Sequence, residues 1–495
     1  MKKTIAGFIL LILALTKQQL GKCGMGILPM VLAYPRAGRP CHERHPLASS
    51  HFQLVPLPGK GPITAAFLSI AGAQETDRHS VEAAFLKQAR DNVERYRKGD
   101  ATLKFDAAPG VNLRGARVEV QQASHDFLFG NVIRYRHFHE PGFQERFREM
   151  FNFATLLEFN WAQYEPLEGQ TRRAQRDEIA RWCRKNGITT NGHMLVWTRK
   201  SGVPDWLAPY SATKRYELLK ARVKDVVKVH ASTIDSWVVV NEPIMCRVWG
   251  DTTEPENRQE KLDRIVPYVH DAFVWSHEVN PMATLILNEY RLIAPEANRR
   301  RFIGLVRMLQ EQNTPISVLG IQGHEPEKGR YWYSPQQLWE TYDELGALGC
   351  PLYITEFLPH SSGKPISGGW RKGLWNEQTQ AEFGEHFYRL SFGHPAVSCI
   401  VWFGLSDADV VYPGGGLLDK NYRPKKAWTV LKRLIHEEWT TRASGGLTAD
   451  GAFRFRGFYG RYELRLRTAD GKEFSFRIHV QRDQPNRWTF PLPAP

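Results

Sequence analysis

The feature that most constrains the fold is a series of short apolar runs separated by stretches with helical periodicity. Consecutive apolar residues over strand length are typical of parallel strands that are buried on both faces. No glycine-rich phosphate loop follows the first run, as a doubly wound sheet would require. Eight runs alternating with helices therefore predict an α/β protein built on a closed (β/α)₈ TIM barrel. The runs are 127–132, 151–157, 189–196, 236–240, 284–287, 318–322, 352–355 and 400–405.

The N-terminal segment 1–75 has the pattern of an export leader, and we expect it to be removed or disordered. Lys2 and Lys3 precede the apolar run 5–15, which is too short to span a bilayer. No later segment has the length and apolarity of a transmembrane helix. The sequence therefore predicts a secreted or periplasmic protein with no membrane association after export.

The barrel, expected over 125–438, is predicted to have a small addition at each end. Residues 76–124 combine an amphipathic helix with two alternating runs around a turn, and they predict a helix and β-hairpin cap. Residues 439–495 contain short alternating runs separated by Asp-Gly turns, which predict a small antiparallel β module. That module could bind carbohydrate or support the barrel, and its single tryptophan, Trp488, favours support.

The chain is basic, with a formal net charge of +14 over 495 residues. Its Lys and Arg residues are scattered through periodic segments and form no basic tail, so we expect no nucleic-acid partner. An acidic polysaccharide, such as a uronate-bearing xylan, is compatible with this charge. The cysteines and histidines lack zinc-site spacing, and we expect no metal or cofactor. We also expect a monomer.

Two glutamates follow apolar runs at the positions where a barrel enzyme places its catalytic groups. Glu242 ends the fourth run and Glu356 ends the seventh. Active sites of such barrels lie at the carboxyl ends of the strands, and glycoside hydrolysis requires two facing carboxyl groups. A single glutamate at a strand end is more often an ion-paired surface residue. Two glutamates at equivalent strand ends favour a catalytic pair.

Other polar and aromatic residues end the neighbouring runs. Buried polar side chains must find hydrogen-bond partners, and sugar hydroxyls can supply them. For the two tryptophans, stacking on a sugar and packing in the core are both open. The predicted substrate-binding residues are His193, Trp197, Asn241, Tyr290, Gln322, His324 and Trp402.

At these positions the sequence resembles glycoside hydrolase family 10, the endo-1,4-β-xylanase family. The similarity runs from Phe129 to Trp428 and includes GHMLVW (192–197), VVNEP (239–243), LILNEY (285–290), GIQGH (320–324) and ITEF (354–357). The resemblance implies a retaining, endo-acting hydrolase that cleaves β-1,4-xylosidic bonds in xylan by double displacement.

The resemblance also implies roles for individual residues. Glu242 would be the acid/base and Glu356 the nucleophile. Asn241 would bond the 2-hydroxyl of the sugar at the cleavage point, and His324 would contact the nucleophile. His193, Gln322 and Trp402 would line the same subsite.

Four departures from the family pattern lie around this pair. Asn160 stands where the family has a lysine, Thr198 where it has a histidine, and Leu358 where an acidic residue is frequent. Residues 407–411 replace a second tryptophan. These changes leave open the same chemistry on another β-linked or decorated glycan. A non-catalytic carbohydrate-binding barrel is the remaining alternative, and it would be expected to have lost one glutamate.

Overall fold

The computed structural model describes residues 75–250, 255–324 and 330–493. All of them belong to one compact unit that spans Lys60–Pro495. The predicted leader, except for its last residue, lies outside the described residues. Within the described ranges, no helix combines the length and the apolar character needed to cross a membrane.

Helices and strands alternate through the middle of the chain, and strands alone follow at its end. The α-helices are α1 (Glu75–Tyr96), α2 (Tyr135–Phe138), α3 (Phe143–Met150), α4 (Trp161–Tyr164), α5 (Arg173–Lys185), α6 (Ala212–Val229), α7 (Arg258–Val279), α8 (Glu296–Glu311), α9 (Pro335–Gly346), α10 (Glu377–Gly393) and α11 (Lys426–Arg433). The strands are β1 (Lys98–Ala107), β2 (Arg117–His125), β3 (Leu128–Ile133), β4 (Phe153–Leu156), β5 (Thr189–Trp197), β6 (Ser236–Asn241), β7 (Thr284–Glu289), β8 (Val318–Ile321), β9 (Leu352–Phe357), β10 (Val397–Trp402), β11 (Arg442–Gly446), β12 (Ala452–Phe458), β13 (Gly460–Arg467), β14 (Glu473–Val480) and β15 (Arg487–Leu492).

Strands β3 to β10 of the described chain close into a barrel in the order β10-β3-β4-β5-β6-β7-β8-β9. Each neighbouring pair is parallel, with helices on the connections. The predicted (β/α)₈ barrel is confirmed. Every residue of β6 is buried, as expected of a strand covered by side chains on both faces. The carboxyl ends of these strands meet at one rim, where Glu242 and Glu356 lie.

The predicted N-terminal β-hairpin is wrong, because β1 and β2 lie in two different sheets. Strand β1 pairs with β12 and β15, and β2 pairs with β11 and β13. Each strand has alternating burial and so has one apolar face to cover. Pairing with C-terminal strands builds a three-stranded and a four-stranded sheet that enclose a shared core. The predicted antiparallel pairing in the C-terminal part is confirmed for β13 and β14, and the parallel pair of these sheets joins β15 to the N-terminal strand β1. We call the two sheets together the terminal sandwich.

Arg97 connects the terminal sandwich to the barrel. Its guanidinium donates to the backbone oxygens of Phe392, His394 and Val397 at 2.7, 2.6 and 2.6 Å. These acceptors lie at the end of α10 and the start of β10. The guanidinium is buried, and this burial lowers the pKa of Arg97 to about 9. Because a buried cation without partners is very costly, the three carbonyls and Arg97 fix each other's positions.

The shared core of the terminal sandwich can be tested with one substitution in β13. Leu464 is 1% exposed in that core. We expect Leu464→Ala to lower the free energy of unfolding by about 2–4 kcal/mol, since it removes buried methyl groups and leaves a cavity. Urea denaturation followed by circular dichroism measures the change. Arg465→Ala, at the neighbouring exposed position, is the control. Equal losses in the two variants would contradict the shared core.

Candidate active site

The two glutamates lie at the carboxyl ends of β6 and β9, which are separated in the barrel by β7 and β8. Glu242 directly follows β6, with a φ of 55°, and its amide donates to Asn288 O at 2.8 Å. Glu356 lies within β9, and its amide donates to Gln322 O at 2.9 Å. Left-handed backbone is uncommon for residues other than glycine, and it concentrates at functional sites. Both side chains are buried, with 8% and 6% exposed.

Four side chains hold the carboxylate of Glu242. Its Oε1 accepts a hydrogen bond from Gln322 Nε2 at 3.0 Å. Its Oε2 accepts from Trp197 Nε1 at 3.1 Å and from Cys246 Sγ at 3.3 Å. Arg199 Nε lies 3.2 Å from the same oxygen as an ion pair. Each oxygen therefore has a fixed donor, and the second one also has a cation beside it.

The carboxylate of Glu356 has a separate set of partners. Asn288 Nδ2 donates to its Oε1 at 3.0 Å, and His193 Nε2 lies 3.9 Å from that oxygen. His324 Nε2 lies 3.4 Å from Oε2. Burial has the largest single effect and raises the pKa of Glu356, but the His324 hydrogen bond, the histidine charges and the Asn288 hydrogen bond together outweigh it. The pKa of Glu356 is therefore lowered, which favours an ionised carboxylate.

Asn288 joins the two halves of the site, although the sequence reading gave it no role. Besides its bond to Glu356, its Nδ2 donates to Asn241 Oδ1 at 2.7 Å, and its Oδ1 accepts from Thr355 Oγ1 at 2.7 Å. Residue 320 must be glycine, because a Cβ there would lie 2.3 Å from Asn288 Oδ1. The one sequence feature that could have identified Asn288 as a site residue was its side-chain amide near the carboxyl end of β7.

Arg199 is the second site residue that the sequence reading missed. Its Cζ lies 5.7 Å from the centre of the Trp197 ring and 5.9 Å from that of Tyr290. One terminal nitrogen lies 3.4 Å from Tyr290 Oη. The structure thus places the predicted residues Trp197 and Tyr290 around one guanidinium next to Glu242. No sequence motif marked Arg199, which lies in a loop just beyond β5.

The prediction that Trp402 binds substrate is wrong. Trp402 is fully buried, its Nε1 donates to Gly415 O at 2.8 Å, and its ring lies 5.2 Å from that of Phe357. Side chains alternate faces along a strand, so the next residue points the other way. That residue is Phe403, whose ring lies 6.4 Å from that of His193. Phe403 is therefore the aromatic residue that reaches the site from the end of β10.

Two of the departures from the family pattern have local structural roles. Asn160 caps helix α4, where its Oδ1 accepts a hydrogen bond from Gln163 N at 3.1 Å. The Thr198 hydroxyl donates to Arg247 O. The Asn160 side chain is thus engaged within its own loop, and the Thr198 side chain joins its loop to the one that follows β6. A third departure, Leu358, is buried against the barrel interior.

Asp409, within the stretch that replaces the second family tryptophan, is a buried carboxyl. Its Oδ1 lies 2.9 Å from Arg134 Nε and 3.4 Å from His137 Nε2. Burial raises the pKa of Asp409 to about 6 in spite of these cations. A charged cluster therefore stands where the resemblance led us to expect an aromatic ring.

A cleft of about 650 Å³ lies on the Arg199 side of the site. Its charged lining residues are Arg199, Lys200 and Asp205, and its lining also includes Ala162 and Pro204. Across the ranges that the structure describes, no group of three or more His, Cys, Asp or Glu side chains could hold a metal ion. Two buried carboxylates beside an open cleft can perform acid/base and nucleophilic chemistry on a bound chain.

Comparisons with known proteins agree with this geometry. Residues 119–434 match the family model described as Glycosyl hydrolase family 10. Endo-1,4-beta-xylanase 1 of Arabidopsis thaliana is 26% identical over 435 residues, with 86% of this chain and 42% of the relative covered. Endo-1,4-beta-xylanase 2 of the same plant is 26% identical over 422 residues, with 83% and 36% covered. The chain thus spans less than half the length of these curated relatives.

A solved structure, native xylanase 10B from Thermotoga maritima, has the same fold. Its TM-score is 0.53 at 22% sequence identity, and the alignment covers 63% of this chain and 96% of that chain. The barrel therefore accounts for nearly all of that structure.

The raised pKa of Asp409 predicts a pH-dependent cost of folding. The folded protein keeps this carboxyl protonated between its ordinary pKa and about 6, whereas the unfolded chain loses the proton there. Stability therefore falls as pH rises through this window. We therefore compare the free energy of unfolding of Asp409→Asn with that of the parent protein. We expect the difference to shift in favour of the variant by about 2 kcal/mol when the pH rises from 4 to 7.5. Urea denaturation at both pH values measures the difference, and a difference that does not change with pH would contradict the assignment.

Proposed function

The chain belongs to glycosyl hydrolase family 10, and on that premise we propose that it is a retaining, endo-acting hydrolase that cleaves β-1,4-xylosidic bonds in xylan. The observation that carries the proposal is the pair of buried carboxylates, Glu242 and Glu356, each held by its own hydrogen bonds at the rim of the barrel. The xylanase names of the relatives support xylan as the substrate class.

The reaction proceeds in two displacements. In the first, a Glu356 oxygen attacks the anomeric carbon while Glu242 gives its proton to the glycosidic oxygen, and the leaving chain departs with a new hydroxyl. In the second, Glu242 takes a proton from water, whose oxygen attacks the anomeric carbon and breaks the ester to Glu356. Both carboxyl groups return to their starting states, and the configuration is retained.

The partners of each carboxylate suit its role. A nucleophile must be ionised, and the lowered pKa of Glu356 favours this state. Asn288 fixes the direction of one Glu356 oxygen. Gln322 and Trp197 orient Glu242, which must reach the leaving oxygen to protonate it. The two roles thus follow from two distinct hydrogen-bond environments.

The second candidate is the same chemistry on another β-linked or decorated glycan. The Asn160 side chain is occupied by a bond to Gln163, and the Thr198 hydroxyl by a bond to the backbone of Arg247. These bonds favour altered sugar binding. A non-catalytic carbohydrate-binding barrel gains no support, because both carboxylates are present and oriented.

We also propose that the protein is exported and acts as a monomer outside the cytoplasm. The support for export is the basic and apolar pattern of residues 2–15, which lie outside the described residues. A mature protein that begins after residue 15, found by N-terminal sequencing of extracellular or periplasmic material, is the expected result. A cytoplasmic protein with Met1 intact would refute export.

The proposed activity is tested by reducing-sugar release from plain xylan, glucuronoxylan, arabinoxylan and β-glucan. We expect release from the xylans, and Glu356→Ala should abolish it because the nucleophile is gone. Glu242→Gln should slow it by about 10²- to 10⁴-fold, the usual contribution of a general acid. Glu340→Ala, at an exposed position on α9, is the matched control with activity retained.

Proton NMR of the first products gives the stereochemistry in the same experiment. We expect the β-anomer to form first, as double displacement requires. Release from β-glucan alone would replace xylan as the substrate, and an α-anomer formed first would refute the retaining mechanism.

A further inference from the structure

Arg199 extends the site beyond the catalytic pair. Its guanidinium pairs with Glu242 through Nε and lies beside the aromatic rings of Trp197 and Tyr290. The side chain is nevertheless 50% exposed. Arginine has five N–H donors, and the contacts with Glu242, Tyr290 and Cys246 account for three of them. Further donors at the terminal nitrogens are therefore available to a bound molecule.

The position of Arg199 relative to the two carboxylates identifies the part of the substrate that it meets. The general acid stands beside the leaving oxygen, and the nucleophile stands beside the anomeric carbon. Arg199 contacts Glu242, whereas Glu356 is supported by His193, Asn288 and His324. Arg199 is therefore next to the sugar that leaves, and this assignment rests on the proposed function.

We propose that Arg199 binds the carboxylate of a uronic acid carried by the leaving-group side of the glycan, and that the protein therefore prefers a uronate-decorated chain. Guanidinium and carboxylate groups form two parallel hydrogen bonds, which neutral sugars cannot do. The flanking rings restrict the guanidinium and lower the entropy lost on binding. Lys200 lines the adjoining cleft of about 650 Å³ and adds a second cation against one carboxylate, Asp205.

The catalytic cycle itself gives a reason for this preference. Glu242 must carry a proton in order to protonate the leaving oxygen. When it does, Arg199 no longer faces an anionic partner within the protein. A substrate carboxylate supplies that partner during the step in which the acid is needed. A neutral substrate leaves the guanidinium with the uncharged partners Tyr290 and Cys246 and the two rings.

The test measures binding, so that it does not depend on turnover. The probes are a xylo-oligosaccharide bearing one glucuronic acid and the same oligosaccharide with its carboxyl group reduced to an alcohol. Calorimetry gives both dissociation constants for Glu356→Gln, in which the nucleophile is disabled. We expect the acidic probe to bind about tenfold more tightly, as a charged hydrogen-bond pair in a half-exposed site does.

Adding Arg199→Gln to Glu356→Gln should bring the ratio of the two dissociation constants close to one. Lys200→Gln in the same background should reduce the ratio partly. Lys214→Gln, an exposed lysine already paired with Glu217, is the matched control with the ratio unchanged. Equal binding of both probes by Glu356→Gln, or binding of neither, overturns the proposal. So does a ratio that survives Arg199→Gln.

Hydrolysis of plain xylan and of glucuronoxylan by the parent protein is measured in parallel and tests the proposed function alone. Activity on plain xylan with equal binding of the two probes refutes the role of Arg199 and leaves the hydrolase proposal standing. No activity on either xylan, with a tenfold preference that depends on Arg199, supports the uronate site and refutes the hydrolase proposal.

Discussion

The site depends on the fixed register of neighbouring barrel strands. Asn288 is the residue that connects these strands at the site. Its backbone oxygen holds the amide of Glu242, and its side chain bonds Asn241, Thr355 and Glu356. Fully buried polar groups in low dielectric are strongly bound to their partners and costly to displace. The missing side chain at Gly320 leaves the space that this amide needs. The geometry of the proposed catalytic pair is therefore set by strand pairing, and the proposed substrate contact of Arg199 comes from a loop.

Charge around the rim is distributed unevenly between the two carboxylates. Histidines and an asparagine surround Glu356, while a permanent cation lies beside Glu242. The difference separates the two roles, because groups of the same type acquire different chemistry from their surroundings. A further buried charge, Asp409 with Arg134, replaces the aromatic surface that the family resemblance predicted. The two glutamates that the resemblance implied are thus both present, while the polarity of the residues around them differs from the family pattern.

The sequence predicted the parts of the structure that depend on short-range patterns. Apolar runs of strand length identified the barrel, and strand ends marked Glu242 and Glu356, since both signals lie within a few residues. Trp402 was misplaced by one position, which is enough to turn a side chain to the opposite face of a strand. The hairpin prediction failed because alternation shows that a strand has one apolar face but not which strand covers it. Arg199 was missed because its place in the site depends on contacts with Trp197, Glu242 and Tyr290, which only the fold brings together.

The terminal sandwich has a consequence for the order in which the chain can fold during synthesis. Strands β1 and β2 precede the barrel, but all their partner strands, β11, β12, β13 and β15, follow it. The ribosome therefore releases the entire barrel while two strands with apolar faces still have open edges. Such edges are sites of wrong association in a growing chain. These edges are closed once β11, β12, β13 and β15 have been synthesised, so a chain cut short before β11 would have a complete barrel and two strands with unpaired edges.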